Sequence, residues 1–209
     1  MNALSYEQFI AAKRRKHAAA GFGVSESRPW LMDFQRALVA KTVERGRCAL
    51  FASTGLGKTR MQLAWADEVA RHTGGRVLIL APLAVAQQTE REAHSLGLAR
   101  VKSCRTAAQM DGAHIVVTNY ERLHHFDVRD FAGVVLDESS CIKDFSARTT
   151  GQMTEAFSNH RFRLCATATP APNDFMELGT HAEFLGVCTR AQMLAEYFIH
   201  DGADTAKWR

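Results

Sequence analysis

The sequence has no Cys-x-x-Cys pair, no internal repeat and no low-complexity tract. Nor does it contain an apolar run approaching the ~20 residues that a membrane-crossing helix needs. Its five cysteines (Cys48, Cys104, Cys141, Cys165 and Cys188) are odd in number and scattered, which argues against a disulfide framework or a zinc site. The nine histidines show no ligand spacing, and the adjacent His124 and His125 are expected to point in different directions as ordinary surface or core residues. Met1 to Phe9 hold no apolar signal core. These absences point to a soluble chain in a reducing cytoplasm, without a membrane partner. An excess of one charge is also lacking: 26 basic against 22 acidic residues leave a formal net charge of +4. That is compatible with a polyanionic partner and diagnostic of none. What remains is 209 residues, 46% of them hydrophobic, enough for one domain with a single large core.

Ser5 to about Ala20 reads as a helix carrying the run Lys13-Arg14-Arg15-Lys16-His17, a solvated face before it is a nucleic-acid contact. Gly21-Phe22-Gly23 and Arg28-Pro29 break the chain ahead of a second helix around Met32 to Glu44. From Arg47 the pattern changes to short apolar runs: 48–51, 77–80, 115–117, 134–136 and a weaker one at 162–166. Each is too short for a helix and too evenly apolar for a half-exposed strand, which suits strands buried on both faces of a parallel sheet. Helix-length amphipathic segments, Thr59–His72, Ala84–Leu96 and Ala147–Ser158, separate them. Alternating strand and helix predicts an α/β fold with a mainly parallel central sheet and helices on both faces. In such sheets ligands sit beyond the carboxyl ends of the strands, so chemistry is expected directly after the apolar runs.

The first run is followed by Ala52-Ser53-Thr54-Gly55-Leu56-Gly57-Lys58-Thr59, a phosphate-binding loop with Ala52 where the common form has its first Gly. Gly55 and Gly57 let the backbone curl so that successive N–H groups face an anion, and the helix after the loop adds its positive dipole end. Lys58 is placed to reach the β- and γ-phosphates of ATP, and the Thr59 hydroxyl to ligate Mg2+. The fourth run ends in Asp137-Glu138. Asp137 suits a second Mg2+ ligand, and Glu138 suits the carboxylate that orients or deprotonates the attacking water. The fifth run ends in Thr167-Ala168-Thr169-Pro170, whose hydroxyls either sense the γ-phosphate through Glu138 or a water, or cap a helix ahead of Pro170.

These residues, in this order, resemble the first RecA-like lobe of superfamily 2 helicases, chiefly the Swi/Snf-type branch and the phage and bacterial DEAD/DEAH-related helicases. The likeness covers roughly residues 30 to 185. It implies a three-layer RecA-like P-loop NTPase fold and a bacterial or phage setting. Leu31-Met32-Asp33-Phe34-Gln35 is similar to the upstream element in which Gln35 would read adenine. Residues 52–59 match motif I, so that Ser53, Thr54, Gly55, Leu56, Gly57, Lys58 and Thr59 would hold ATP. Leu80-Ala81-Pro82-Leu83 is similar to motif Ia and Thr118-Asn119-Tyr120-Glu121 to motif Ib, loops that touch the nucleic-acid backbone in the family, which implies Pro82, Leu83, Thr118 and Asn119 as nucleic-acid contacts. Asp137-Glu138-Ser139-Ser140 stands at motif II and Thr167 to Pro170 at motif III, with Thr167 and Thr169 as the coupling hydroxyls. Ser139-Ser140 replaces the Ala-Asp or Ala-His of the named box, a form also found in phage-like relatives.

The resemblance divides the chain into an N-terminal helical extension (1–30), the ATP-binding lobe (31–189) and a tail (190–209) leading toward a second lobe. The family's engine takes arginine fingers from that second lobe, and no Q-x-x-G-R-x-x-R-like stretch comes after motif III here. A finger is worth about 10³–10⁵ in rate, so hydrolysis by this chain alone is expected to be slow until a second lobe is supplied. The tail's Tyr197, Phe198 and Trp208 would pack on that lobe, or simply form a disordered end. The implied function is an ATP hydrolase of helicase or translocase type acting on DNA, with RNA kept open. The alternatives are a non-catalytic ATP-binding module and, further off, a small-molecule kinase, for which no acceptor-pocket or lid signature is present.

Overall fold

The computed structural model describes residues 19–25, 28–144 and 147–198. The elements are α1 (Asp33–Arg45), β1 (Arg47–Phe51), α2 (Lys58–Thr73), β2 (Arg76–Ala81), α3 (Ala86–Ser95), β3 (Val101–Ser103), β4 (Ile115–Asn119), β5 (Phe131–Asp137), α4 (Ala147–Ala156), β6 (Phe162–Thr167), α5 (Leu178–Leu185) and α6 (Arg190–Tyr197). The strands form one sheet in the order β1-β6-β5-β2-β4-β3, with every pairing parallel.

Alternation along each strand divides the core in two. Val77, Ile79 and Ala81 of β2 face the layer of α1, α2 and α3, where Trp65 and Met61 are fully buried. Leu78 and Leu80 face the opposite layer, with Phe157 and Phe184 from the α4 and α5 side. Both faces are covered, so a parallel sheet can be apolar throughout. The five expected strands are all present, each extended by one to four residues. The sheet gains β3, whose three residues are too few to produce a periodic signal. Helix α3 begins at Ala86 rather than Ala84, because Pro82 to Val85 form a turn closed by Val85 N–H on Pro82 O at 2.9 Å.

The predicted N-terminal helix and its basic run lie outside the described residues, apart from Ala19 and Ala20, which are irregular. The segment from Ala20 to Arg28 is tied to the lobe at both ends. Ala20, Gly21 and Phe22 donate backbone N–H groups to the carbonyls of Arg45, Glu44 and Val43, satisfying the last turn of α1. A Cβ at Gly21 would lie 1.7 Å from Val43 O, so only glycine fits. The buried Arg28 pairs with Asp67 at 2.6 Å and with Glu68, both on α2.

At the other end of the chain, residues 190–197 are helical, where the sequence suggested a tail. Thr189 caps α6, its hydroxyl accepting from Gln192 N–H at 3.1 Å, and Met193 packs over Gly179 of α5. Tyr197 is 68% exposed, and Trp208 lies outside the described residues. His124 and His125 are surface residues, one of the two settings expected, but their side chains do not diverge. Their ring centroids sit 3.9 Å apart, because the tight turn Tyr120–His125 buries Tyr120 and leaves both imidazoles outside. All five cysteines are free thiols. Among the described residues, no helix is long and apolar enough to cross a membrane.

Candidate active site

The carboxyl ends of β1, β5 and β6 converge, as the strand order requires, with β6 between the other two. From β1 the chain enters the loop 52–57, in which Gly55 and Gly57 have φ of 84° and 76°. These are left-handed values that glycine adopts without steric penalty. Ser53 to Leu56 are exposed, so the loop's concave backbone is open to a ligand. Lys58, the first residue of α2, rests its ammonium on Ala52 O at 3.2 Å. Ala52 N–H is bonded to Thr167 O at 3.2 Å, which joins the loop directly to the end of β6. Thr59 comes next, half-buried.

Gln35 was expected to read adenine. It is 3% exposed, and both amide atoms are engaged within the chain. Nε2 donates to Leu56 O at 3.0 Å and Oε1 accepts from Met32 N–H at 2.9 Å. Here it braces the phosphate loop from below.

Asp137 closes β5 and is 5% exposed. Its Oδ1 accepts from Gln62 Nε2 at 2.6 Å and from Glu138 N–H at 3.0 Å. Burial pushes its carboxyl above the ordinary carboxylate range and the Glu138 charge adds to this, while the Gln62 bond and the Lys58 charge pull the other way. Glu138 is the one non-glycine residue with positive φ among those described, at 47°. Such a backbone persists only when its surroundings hold it. Its Oε2 accepts from Thr167 Oγ1 at 3.3 Å, and Thr167 also stands 3.3 Å from Ser140 Oγ. Thr169 is exposed and contributes its backbone N–H to Thr167 Oγ1 at 3.1 Å. No helix starts at Pro170, so the capping alternative for these threonines does not describe this segment.

Three partners of this cluster carry no sequence signal for that role, although Tyr120 falls within the segment similar to motif Ib. Gln62 is one. Tyr120 is another, its hydroxyl donating to Asp137 O at 2.7 Å. The third is His181, whose Nε2 lies 3.0 Å from Ser139 Oγ and whose ring meets Phe51 edge-on. His181 is buried, and burial lowers its pKa against smaller raising contributions from Glu177.

Leu83, Thr118 and Asn119 line a separate cavity of about 330 Å³ with Arg91, Arg105 and Arg122. Pro82 sits just before it, at the end of β2. Thr118 Oγ1 and Asn119 Oδ1 are buried without a hydrogen-bond partner, and Asn119 Nδ2 is held by Glu121 at 2.6 Å.

Because the Asp137 carboxylate is penalised in the fold, stability should depend on it with a definite sign. A carboxyl whose folded pKa lies above its unfolded value withholds stability at pH above the folded pKa. The penalty vanishes below the unfolded one. Asp137→Asn keeps an acceptor for both hydrogen bonds, so it is expected to raise Tm at neutral pH by about 2–4 °C. The gain should fade as the pH falls to about 3. Thermal melts of both proteins across that range check it; an equal Tm at neutral pH would show that the carboxylate carries no penalty.

A parallel α/β sheet with a phosphate loop after β1 and an acidic pair after the strand two places away defines a P-loop NTPase lobe. The model of the DEAD/DEAH box helicase family matches residues 32–178, and the chain belongs to that family. Solved structures agree on the fold. The UvsW helicase from bacteriophage T4 is 16% identical with a TM-score of 0.63, covering 88% of this chain and 66% of its own. The Sulfolobus solfataricus SWI2/SNF2 ATPase core, solved with dsDNA, is 18% identical with a TM-score of 0.64, covering 85% and 40%. The Pyrococcus furiosus Hef helicase domain is 18% identical with a TM-score of 0.60, covering 73% and 36%. This chain therefore spans about two thirds or less of the length of each. Among curated protein sequences, none matches it.

Proposed function

We propose that this chain is the ATP-binding lobe of a nucleic-acid-dependent motor, acting on DNA, that couples Mg-ATP hydrolysis to movement. The observation that carries the reading is the assembly of Lys58, Asp137, Glu138 and Thr167 at the mouth of one open phosphate loop. The residues suit Mg-ATP: a curled run of exposed backbone, one ammonium, and a buried carboxylate of raised pKa whose charge a divalent cation would relieve. Thr59 and Asp137 would hold Mg2+, which supplies charge neutralisation on the phosphates when bound. Lys58 moves from Ala52 O to the phosphate oxygens. Glu138 orients the attacking water and accepts its proton, while Thr167 holds the Glu138 carboxylate in register. Residues 31–189 form the lobe in this reading, and a second lobe completes the site.

DNA is favoured by the loop form Gly-Leu-Gly-Lys-Thr and by Asp-Glu-Ser-Ser. The cavity of Leu83, Thr118 and Asn119, with its three arginines, suits a phosphate backbone; binding there would be salt-sensitive and indifferent to base sequence.

Steady-state Mg-ATP hydrolysis, measured without nucleic acid and with single-stranded DNA, double-stranded DNA or RNA, tests the proposal. We expect DNA to stimulate turnover and Lys58→Ala to abolish both turnover and nucleotide binding. Undiminished ATP affinity in Lys58→Ala would overturn the assignment of the loop. ATP binding without turnover under every condition would favour the second reading, a nucleotide-binding module that is silent without its second lobe.

A further inference from the structure

The arginine-lined cavity lies at the end of β4 and the acidic pair at the end of β5, but these strands are not neighbours, because β2 runs between them. No ladder hydrogen bond can therefore link the two ends. Tyr120, the residue directly after Asn119, spans the gap: its hydroxyl donates to Asp137 O at 2.7 Å.

The accepting atom gives this bond its meaning. Asp137 C=O and Glu138 N–H belong to one peptide plane. Tyr120 holds the carbonyl side, and the N–H side is tied back to Asp137 Oδ1 at 3.0 Å. The tilt of that plane sets the φ of Glu138, the 47° that aims its carboxylate at Thr167. On the cavity side, Thr118 Oγ1 and Asn119 Oδ1 are buried and unpartnered. A buried polar atom without a partner is unfavourable, so a ligand that satisfied these atoms would shift the segment that carries Tyr120.

We propose that Tyr120 is a positioning residue that couples occupancy of the Thr118–Asn119 cavity by a nucleic-acid strand to the orientation of the Asp137–Glu138 peptide. The inference rests on the nucleic-acid reading of that cavity given above. Tyr120 touches neither ligand. Its ring is nearly buried, and the hydroxyl is the only polar group it brings to the joint.

Tyr120→Phe deletes that hydroxyl and keeps the ring, and linkage measures the result. The affinity of the full chain for Mg-AMP-PNP is titrated with and without saturating oligothymidylate. The affinity for oligothymidylate is then titrated with and without Mg-AMP-PNP. Coupling in binding is reciprocal, so both ratios must agree. In the wild type we expect each ligand to change the other's affinity by about fivefold or more. In Tyr120→Phe the ratio should fall to about one, with each ligand's own affinity within about twofold of wild type. A structural role alone would lower Tm and both affinities and leave the ratio in place; that result, or an unchanged ratio with intact affinities, overturns the proposal. If the wild-type chain binds AMP-PNP but no nucleic acid, the reading of the cavity falls as well, so the two failures are told apart by the wild type.

Discussion

Glu138→Gln is expected to leave ATP affinity within about twofold of wild type and to lower hydrolysis by about 10²–10⁴-fold, the usual contribution of a positioned proton acceptor. The two side chains have nearly the same shape, and a glutamine oxygen can still accept from Thr167 at the 3.3 Å where Glu138 Oε2 does. The left-handed backbone at 138 is flanked by bonds that do not use the Glu138 side chain, namely Tyr120 hydroxyl to Asp137 O, Glu138 N–H to Asp137 Oδ1 and Cys141 N–H to Glu138 O, and these are unaffected by the change. Only the capacity to take a proton is lost. Equilibrium titration of ATP together with single-turnover phosphate release separates binding from chemistry. Turnover within a few-fold of wild type would remove Glu138 from its assigned role. Parallel loss of binding and turnover would mean that its contribution lies in holding the nucleotide.

The second large effect is expected at the phosphate loop, where two glycines differ in what surrounds them. Gly55 and Gly57 both have positive φ, but an added Cβ at Gly55 meets nothing within 4 Å. At Gly57 it would stand 2.4 Å from Gln35 Nε2. Gly55→Ala therefore suffers only the left-handed strain, about 1–2 kcal/mol. Gly57→Ala adds a collision with the buried amide that braces Leu56, about a further 1–3 kcal/mol. We expect ATP affinity to fall by about tenfold in Gly55→Ala and by about a hundredfold in Gly57→Ala. The double variant Gly57→Ala/Gln35→Ala should recover part of the difference, because it relieves the collision and keeps the strain. Equal losses in the two single variants would show that Gln35 does not brace the loop.

The phosphate loop and the acidic pair were legible in the sequence because their chemistry is local. Gly55, Gly57, Lys58 and Thr59 lie within five residues of one another, and Asp137-Glu138 come after an apolar run that marks the strand's end. The buried strands could be read for the same reason, since continuous burial leaves a continuous apolar run. The contacts that Gln62, Tyr120 and His181 make with the acidic segment stayed hidden. Gln62 meets Asp137 across 75 residues and Ser139 meets His181 across 42, and nothing in the local composition distinguishes these side chains from other helix or turn residues. The bond from Gln35 to the Leu56 carbonyl spans 21 residues, and no one-dimensional pattern displays it. The short edge strand β3 left no trace because three residues cannot establish alternation.

Arg28 bears on where the folding unit begins. The family match starts at residue 32, four positions beyond it. Yet Glu68, 1% exposed in the middle of α2, takes its cation from Arg28. Asp67 has a second cation in Arg71 at 3.0 Å. A polypeptide begun at the edge of the family match would bury the Glu68 charge alone. Stripping a buried ion pair of one member is unfavourable by about 3–5 kcal/mol, a large share of the 5–15 kcal/mol that holds a typical domain folded. The family match and the ion-paired structure thus have different borders, and the helix that carries Lys58 owes part of its footing to a residue that precedes the match.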